Sequence, residues 1–272
     1  MSTIKFLMLV VGVTVSTSAG AHEFWIEPAT FIPKAAQPLR VTLKQGERFA
    51  GTVVPYRKAR VVRYELIEGQ KTQSVRGRDG KESVFARPSS NRAAWLRYES
   101  VPKPHRLPAP RFTAYLRAER LDSVIAERER RGETDREGLE LFQRCAKSIL
   151  SAPDGSFVDR ALGLDLEIVL DRGADRASGV LSGQLLFRGK PLVKARVVAV
   201  ERAEPGKLYE LTTDAEGRFR GPKAGAGAWM LTALHMIRIE GDPRAEWKSF
   251  WGSVTFERRS VGKAVAEKPA IR

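Results

Sequence analysis

The chain is poor in the residues that build covalent and metal-bound frameworks. Its 272 residues hold one cysteine, Cys145. No intramolecular disulfide can form, so an exported form must be held together by its core. A lone cysteine of this kind reads as a small buried hydrophobe rather than a reactive thiol. There are three histidines, His22, His105 and His235. An imidazole-based metal site must draw on these three, with carboxylates or Cys145 as further donors. Long apolar runs are also missing. The longest, Ile4 with Phe6 to Val15, falls short of the ~20 residues that span a bilayer. No Ser sits in a G-x-S-x-G elbow, and the Gly-rich stretch Ala224 to Ala228 lacks the Lys-Ser/Thr of a phosphate loop. A catalytic carboxylate pair cannot be singled out among so many surface acids.

What is present begins with a leader. Lys5 supplies a positive start, the apolar run follows, and Ala19-Gly20-Ala21 fits the small-residue cleavage rule. Cleavage after Ala21 makes His22 the first residue of an exported chain. The formal net charge is +15, from 47 Lys and Arg against 32 acids. That balance favours contact with anionic membrane surfaces. No helix–turn–helix, zinc-finger or RNA-binding signature accompanies it, so nucleic acid is not an expected partner. A cation site in such a chain needs specific ligands rather than a diffuse negative field.

From Leu39 to Ser100 the pattern is β. Arg40 to Lys44, Val61 to Glu68 and Ala94 to Glu99 alternate polar and apolar, and Asp79-Gly80 reads as a turn. The four prolines between Pro102 and Pro110 predict an extended connector. Phe112, Tyr115, Leu116, Leu121, Val124 and Ile125 are then spaced for an amphipathic helix, with Arg117, Glu119, Arg120, Glu127 and Arg128 on its far side, and Gly132 ends it. Thr134 to Glu137 reads as a capping box. It predicts a second helix over 135–150, with Leu139, Phe142, Ala146, Ile149 and Leu150 on one face. Strands resume at Leu164 to Leu170. Beyond Ala177, strand–turn signals recur at Arg188 to Pro191, Ala195 to Glu201, Leu208 to Thr213 and Asp214 to Gly217. Trp229 to His235 and Trp247 to Glu257 read as the last strands. The Thr213-Asp214 turn with Gly217 and Phe219 resembles small transthyretin-like or immunoglobulin-like domains, a likeness of fold rather than of chemistry.

The candidate chemistry centres on His22. Its α-amine has an ordinary pKa of about 7.7–8.0, so amine and ring can chelate one cation near neutral pH. A second imidazole completes a three-nitrogen set suited to Cu(II) and acceptable to Ni(II) or Co(II). His235 is the candidate second ligand, on a strand face with Trp229, Leu231 and Ala233. The competing reading of His235 is a core histidine. His105, in the Pro-rich connector, reads as solvated. Glu23, Glu27, Asp242 and Glu246 are possible carboxylate helpers, and spacing selects none of them.

Several pieces together resemble a known family. They are Ala21-His22 with Trp25 and Pro28, Phe112 to Leu116, Arg131 to Asp135, and Arg144 to Lys147. The later ones are Thr213-Asp214 with Gly217, Trp229, His235-Met236, and Trp247 to Phe256. In order and over most of the chain, they look like the domain-of-unknown-function 4198 proteins, associated with the periplasmic component of nickel or cobalt uptake. The resemblance implies a periplasmic protein that binds a divalent transition metal, nickel or cobalt, through His22 and His235, with copper added by the three-nitrogen donor set. It also implies a separate membrane metal transporter as partner, and no enzymatic turnover. A structural or adhesive sandwich with incidental histidines, and a copper redox enzyme using the His22 chelate, are the alternatives.

The expected fold is mainly β: two antiparallel sandwich units of immunoglobulin or transthyretin type with an inserted helical hairpin. The expected layout is a leader over 1–21 and an N-terminal sandwich over 22–175, with the hairpin at about 111–150. A C-terminal sandwich over 176–257 and a flexible tail over 258–272 follow.

Overall fold

A computed structural model describes residues 23–176, 179–223 and 225–259. The leader, its cleavage site, His22 and the tail from Ser260 lie outside the described residues. In chain order the elements are β1 (Glu23–Pro28), β2 (Leu39–Glu47), β3 (Ala50–Val54), β4 (Val61–Glu68), β5 (Lys71–Ser74), β6 (Ser83–Ala86), β7 (Ala94–Ser100) and β8 (Lys103–Leu107). Two helices follow, α1 (Ala109–Ala118) and α2 (Asp122–Arg130). Then come β9 (Gly138–Leu150), β10 (Leu166–Leu170), β11 (Val180–Phe187), β12 (Lys190–Pro191), β13 (Arg196–Glu201), β14 (Leu208–Thr212), β15 (Arg218–Lys223), β16 (Gly227–Arg238) and β17 (Trp247–Arg258). The expected class holds: the chain is mainly β, sandwich-like, with two helices between strand groups.

A nine-stranded sheet is the middle layer. Its path is β14-β13-β16-β17-β9-β7-β4-β5, with β8 also on β9. Every pair in it is antiparallel except β17 with β9, which is parallel and joins strands from the two halves of the chain. Strands with one apolar face need a cover on that side. Alternate residues of the sheet therefore feed two separate cores. Tyr64, Leu66, Leu96, Tyr98, Ala146 and Leu150 pack under the outer sheet of β1, β2, β3 and β6. Ile67, Trp95, Ile149, Leu231, Phe250 and Val254 pack against the other outer sheet, β10, β11, β12 and β15. The helices lie on the β1 side, where Phe112, Tyr115, Leu116 and Val124 bury against Leu234, Met236, Trp247 and Trp251. Thr255 clasps β1 to the middle sheet by donating its hydroxyl to the Ile26 carbonyl at 2.7 Å.

The second helix expected over 135–150 is a correction. That stretch is β9, thirteen residues in strand conformation and bonded on both edges. Its helix-spaced apolar residues are only part of the pattern. Gln143, Arg144, Lys147 and Ser148 are buried as well, which no amphipathic helix face would allow. Tertiary partners decide the outcome: Lys147 is enclosed by acids from a later loop and strand. The capping reading of Thr134 to Glu137 gives way too, since Glu137 pairs with Arg106 at 2.8 Å. Gly138 opens β9 because a Cβ there would lie 2.1 Å from the Phe112 ring of α1. The helical hairpin is instead α1 and α2, parted at Arg120, which sits at φ 55°. The Pro-rich connector is extended, as expected, and is recruited as β8 along β9.

Candidate functional site: a carboxylate cleft at the start of the first strand

The structure describes two of the three histidines, His105 and His235. The His235 ring points to the β11 side of the middle sheet, with its ring centre 4.5 Å from that of Phe187. Burial first, and then the Arg188 guanidinium, lower its pKa from 6.5 to about 4. It is a neutral imidazole in a cationic, aromatic setting, since Arg188 and Lys248 both lie over Phe250. His105 faces Glu140, with Nδ1 3.4 Å from Oε1. Three of the four helper carboxylates are engaged elsewhere. Glu27 meets Lys44 at 3.3 Å and Arg202 at 3.3 Å, Asp242 meets Arg244 at 2.7 Å, and Glu246 meets Arg136 at 3.2 Å.

Glu23 is different. It is the first described residue and begins β1 opposite Gly46. Its carboxylate accepts the Arg48 backbone N–H at 2.7 Å. That bond closes the β2–β3 turn, where Arg48 and Phe49 stand at φ 52° and 66°. Two successive non-glycine residues in the left-handed region are unfavourable unless held. The hold comes from Glu23 and from Phe49 packing edge-on to Trp25, ring centres 5.8 Å apart.

Beside Glu23 a cleft of about 340 Å³ opens between β1, the β2–β3 turn, the end of α1 and the middle sheet. Its charged lining is Glu23 from β1, Glu47 from β2, Arg48, Glu119 and Arg196. Its floor is Thr232, Leu234 and Trp251 from the β1-facing side of the middle sheet. Glu119 stands at the C-terminal end of α1, where the helix dipole is negative and disfavours an anion. Arg196 offsets part of that, 3.2 Å from Glu119, while also holding Glu210 at 2.7 Å. Trp251 is fixed by stacking on Tyr115, at 6.2 Å between ring centres and 10° between planes.

The electrostatics follow from this crowding. Burial raises the Glu23 pKa from 4.5 to about 7, the Arg48 and Phe49 amides pull it down, and the Glu119 and Glu47 charges push it up. Burial likewise raises Glu119, against Arg196 and with Glu210 and Glu47. Three carboxylates thus share one half-enclosed space, and one of them changes charge near neutral pH. Such a cleft can exchange a proton for a cation.

Among the described residues no three His, Cys, Asp or Glu side chains form a group that could hold a metal ion. His22, bonded directly to Glu23, lies outside them. The structure brings Glu23 together with Glu47 and Glu119, and it sets the His235 ring on the opposite face of the sheet. Sequence reasoning flagged Glu23 without selecting it, and placed Glu119 on a solvated helix face. No local signal marks their meeting, which depends on β1 lying over the end of α1.

A three-layer β protein with a helical pair on one face and an acidic cleft at its first strand is the class that fold and site define. The family described as "Domain of unknown function (DUF4198)" matches residues 19–237, and the chain belongs to that family. No curated protein matches it significantly. Among solved structures it is similar to a tetra-tandem repeat from the extending region of a large adhesion protein. Identity there is 13%, over 87% of this chain and 49% of that one, at a TM-score of 0.20. The chain thus spans about half the length of that structure. It is also similar to the D0-D1 domain of Intimin, at 11% identity over 87% of this chain and 98% of that one, TM-score 0.21. Overlaps this low carry no argument. Among the described residues, no helix is long and apolar enough to cross a membrane.

Proposed function

We propose that this is a periplasmic protein that binds a divalent transition metal, nickel, cobalt or copper, in the Glu23 cleft and hands it to a membrane transporter. The observation that carries the reading is the Glu23 carboxyl lining one cleft with Glu119 and Glu47, raised to about 7 by burial first and then by the charges of those two neighbours. A divalent ion relieves that repulsion and displaces the proton, so binding near neutral pH releases protons. Carboxylates alone favour hard ions, and nitrogen donors shift preference to the later transition metals. Cleavage after Ala21 supplies both an amine and an imidazole on the residue next to Glu23. The reading groups His22 with Glu23 and Glu119 rather than with His235, whose ring lies behind the sheet beside Arg188. It calls for no turnover chemistry.

The test is calorimetry of the processed protein with Ni(II), Co(II) and Cu(II), with intact mass to confirm that His22 is the N-terminus. Loss of an outer partner of a metal ligand already costs about 10–100-fold in affinity, so Glu23→Gln should cost at least tenfold. His235→Ala should leave binding unchanged. Absence of a binding heat with all three metals ends the reading.

A further inference from the structure

The other face of the middle sheet hides a second charged group that a metal role does not use. Lys147, in β9, is 1% exposed, Asp159 is 0% exposed and Glu167, in β10, is 2% exposed. Lys147 Nζ lies 3.0 and 2.9 Å from the two carboxylate oxygens of Asp159, and 3.3 Å from Glu167 Oε1. The amine nitrogen therefore hydrogen-bonds both oxygens of the Asp159 carboxyl at once. The surroundings are apolar, with Trp95, Ile149 and Phe157 in the same core. Water is largely excluded from such a site, and the amine is held against the carboxyl it would have to attack.

We propose that Lys147 and Asp159 join in an intramolecular isopeptide bond between Nζ and Cγ, with Glu167 as proton relay. In the contact pair the ammonium proton passes to the Asp159 carboxylate, which leaves a neutral amine beside a neutral acid. The nitrogen lone pair then forms the N–Cγ bond. The tetrahedral oxygens meet donors already in place. Trp95 Nε1 and the Arg160 N–H donate to Oδ1 at 3.1 and 2.8 Å, and the Leu170 N–H donates to Oδ2 at 2.9 Å. Glu167 accepts a proton from the nitrogen and returns it to the departing oxygen. The Cγ–O bond breaks and water leaves. One cation and one anion vanish together, so net charge is unchanged and no electron is exchanged. The Leu162, Gly163 and Leu164 N–H groups donate to Glu167 at 2.7, 2.9 and 3.1 Å and hold the relay in position. A chain with a single cysteine gains from this bond a covalent staple that sulfur cannot provide.

Tryptic mapping of the purified wild-type protein under denaturing conditions tests this. Lys147 is the sole basic residue between Arg144 and Arg160. A linked chain yields the peptide 145–160 uncleaved at Lys147 and lighter by one water, with fragmentation placing the link between Lys147 and Asp159. Asp159→Ala and Glu167→Gln should restore cleavage at Lys147 and full mass. A wild-type peptide cut at Lys147 overturns the proposal, including the case where water is lost at Asp154-Gly155 instead. The wild-type result decides even if both variants fail to fold.

Discussion

The two acidic sites lie on opposite faces of one sheet and are built from the same residue types, yet they behave oppositely. Around Lys147 each carboxylate oxygen of Asp159 and Glu167 has a donor, mostly a backbone amide or the ammonium itself. Charge is enclosed and matched. Around Glu23 three carboxylates line one cleft, and burial raises both Glu23 and Glu119. Matched burial makes structure, whereas carboxylates gathered at an opening make a place for a visitor. The difference lies in what surrounds the acids.

The most damaging way to break that comparison is Glu167→Ala. It removes the acceptor for three backbone N–H groups, those of Leu162 and Leu164 buried, and one partner of Lys147. On the proposal above it also removes the proton relay, so Lys147 and Asp159 stay an unlinked ion pair, and the backbone N–H groups left without an acceptor bring the expected loss to about 3–5 kcal/mol. Urea unfolding at pH 7 reads it as a fall in midpoint with little change in slope. A loss below about 1 kcal/mol would place this cluster with ordinary surface pairs.

This cluster also shows why part of the fold was legible from sequence and part was not. β4, β7, β16 and β17 could be read because alternation or aromatic runs announce strands directly. The turn at Asp214 could be read because its chemistry is local: Asp214 Oδ1 accepts the Glu216 and Arg218 N–H groups, and Gly217 takes φ 69°. β9 could not. Its buried Lys147 breaks the apolar pattern, and the acids that make burial tolerable lie 12 and 20 positions away. With those partners invisible, Leu139, Phe142, Ala146 and Ile149 matched a helix better than a strand. The cleft was illegible for the same reason, since Glu23, Glu47 and Glu119 converge only through tertiary structure. The parallel seam between β17 and β9, which merges the two halves of the chain into one sheet, also has no local signature.

Glu23→Gln probes the cleft. The folded-state pKa of about 7 exceeds the ordinary 4.5, so ionisation opposes folding. The stabilisation carried by the protonated acid is complete below pH 4.5 and is lost as pH rises through 7. Removing the charge should therefore stabilise the protein at pH 8 by about 1–3 kcal/mol, with little change at pH 4.5. Urea unfolding at the two pH values, without metal, measures it. Lower stability of the variant at pH 8 would mean that the Arg48 hydrogen bond outweighs the repulsion, and that the cleft is not under electrostatic strain.

His235→Leu gives the smallest effect and the sharpest check on the separation of the two faces. Here the folded pKa, about 4, lies below the ordinary 6.5, because burial and Arg188 disfavour the imidazolium. The neutral ring is indifferent to pH above 6.5, and stability falls as pH drops from 6.5 toward 4 while the unfolded chain takes up the proton. At pH 7 the substitution should change stability by less than about 1 kcal/mol, since it exchanges one half-buried ring for a similar apolar volume. At pH 5 the leucine variant should be the more stable by about 1 kcal/mol, allowing for the partial exposure of the ring. Between pH 4.5 and 6.5 the two titrations oppose each other: raising the pH releases the His235 penalty while the Glu23 penalty grows. With the residues on opposite faces, Glu23→Gln and His235→Leu should combine additively to within about 0.5 kcal/mol, and the double variant should show a flatter pH profile than either single one. Coupling well beyond that, especially coupling that appears only when metal is added, would join His235 to the cleft and restore a site reaching from one face of the sheet to the other.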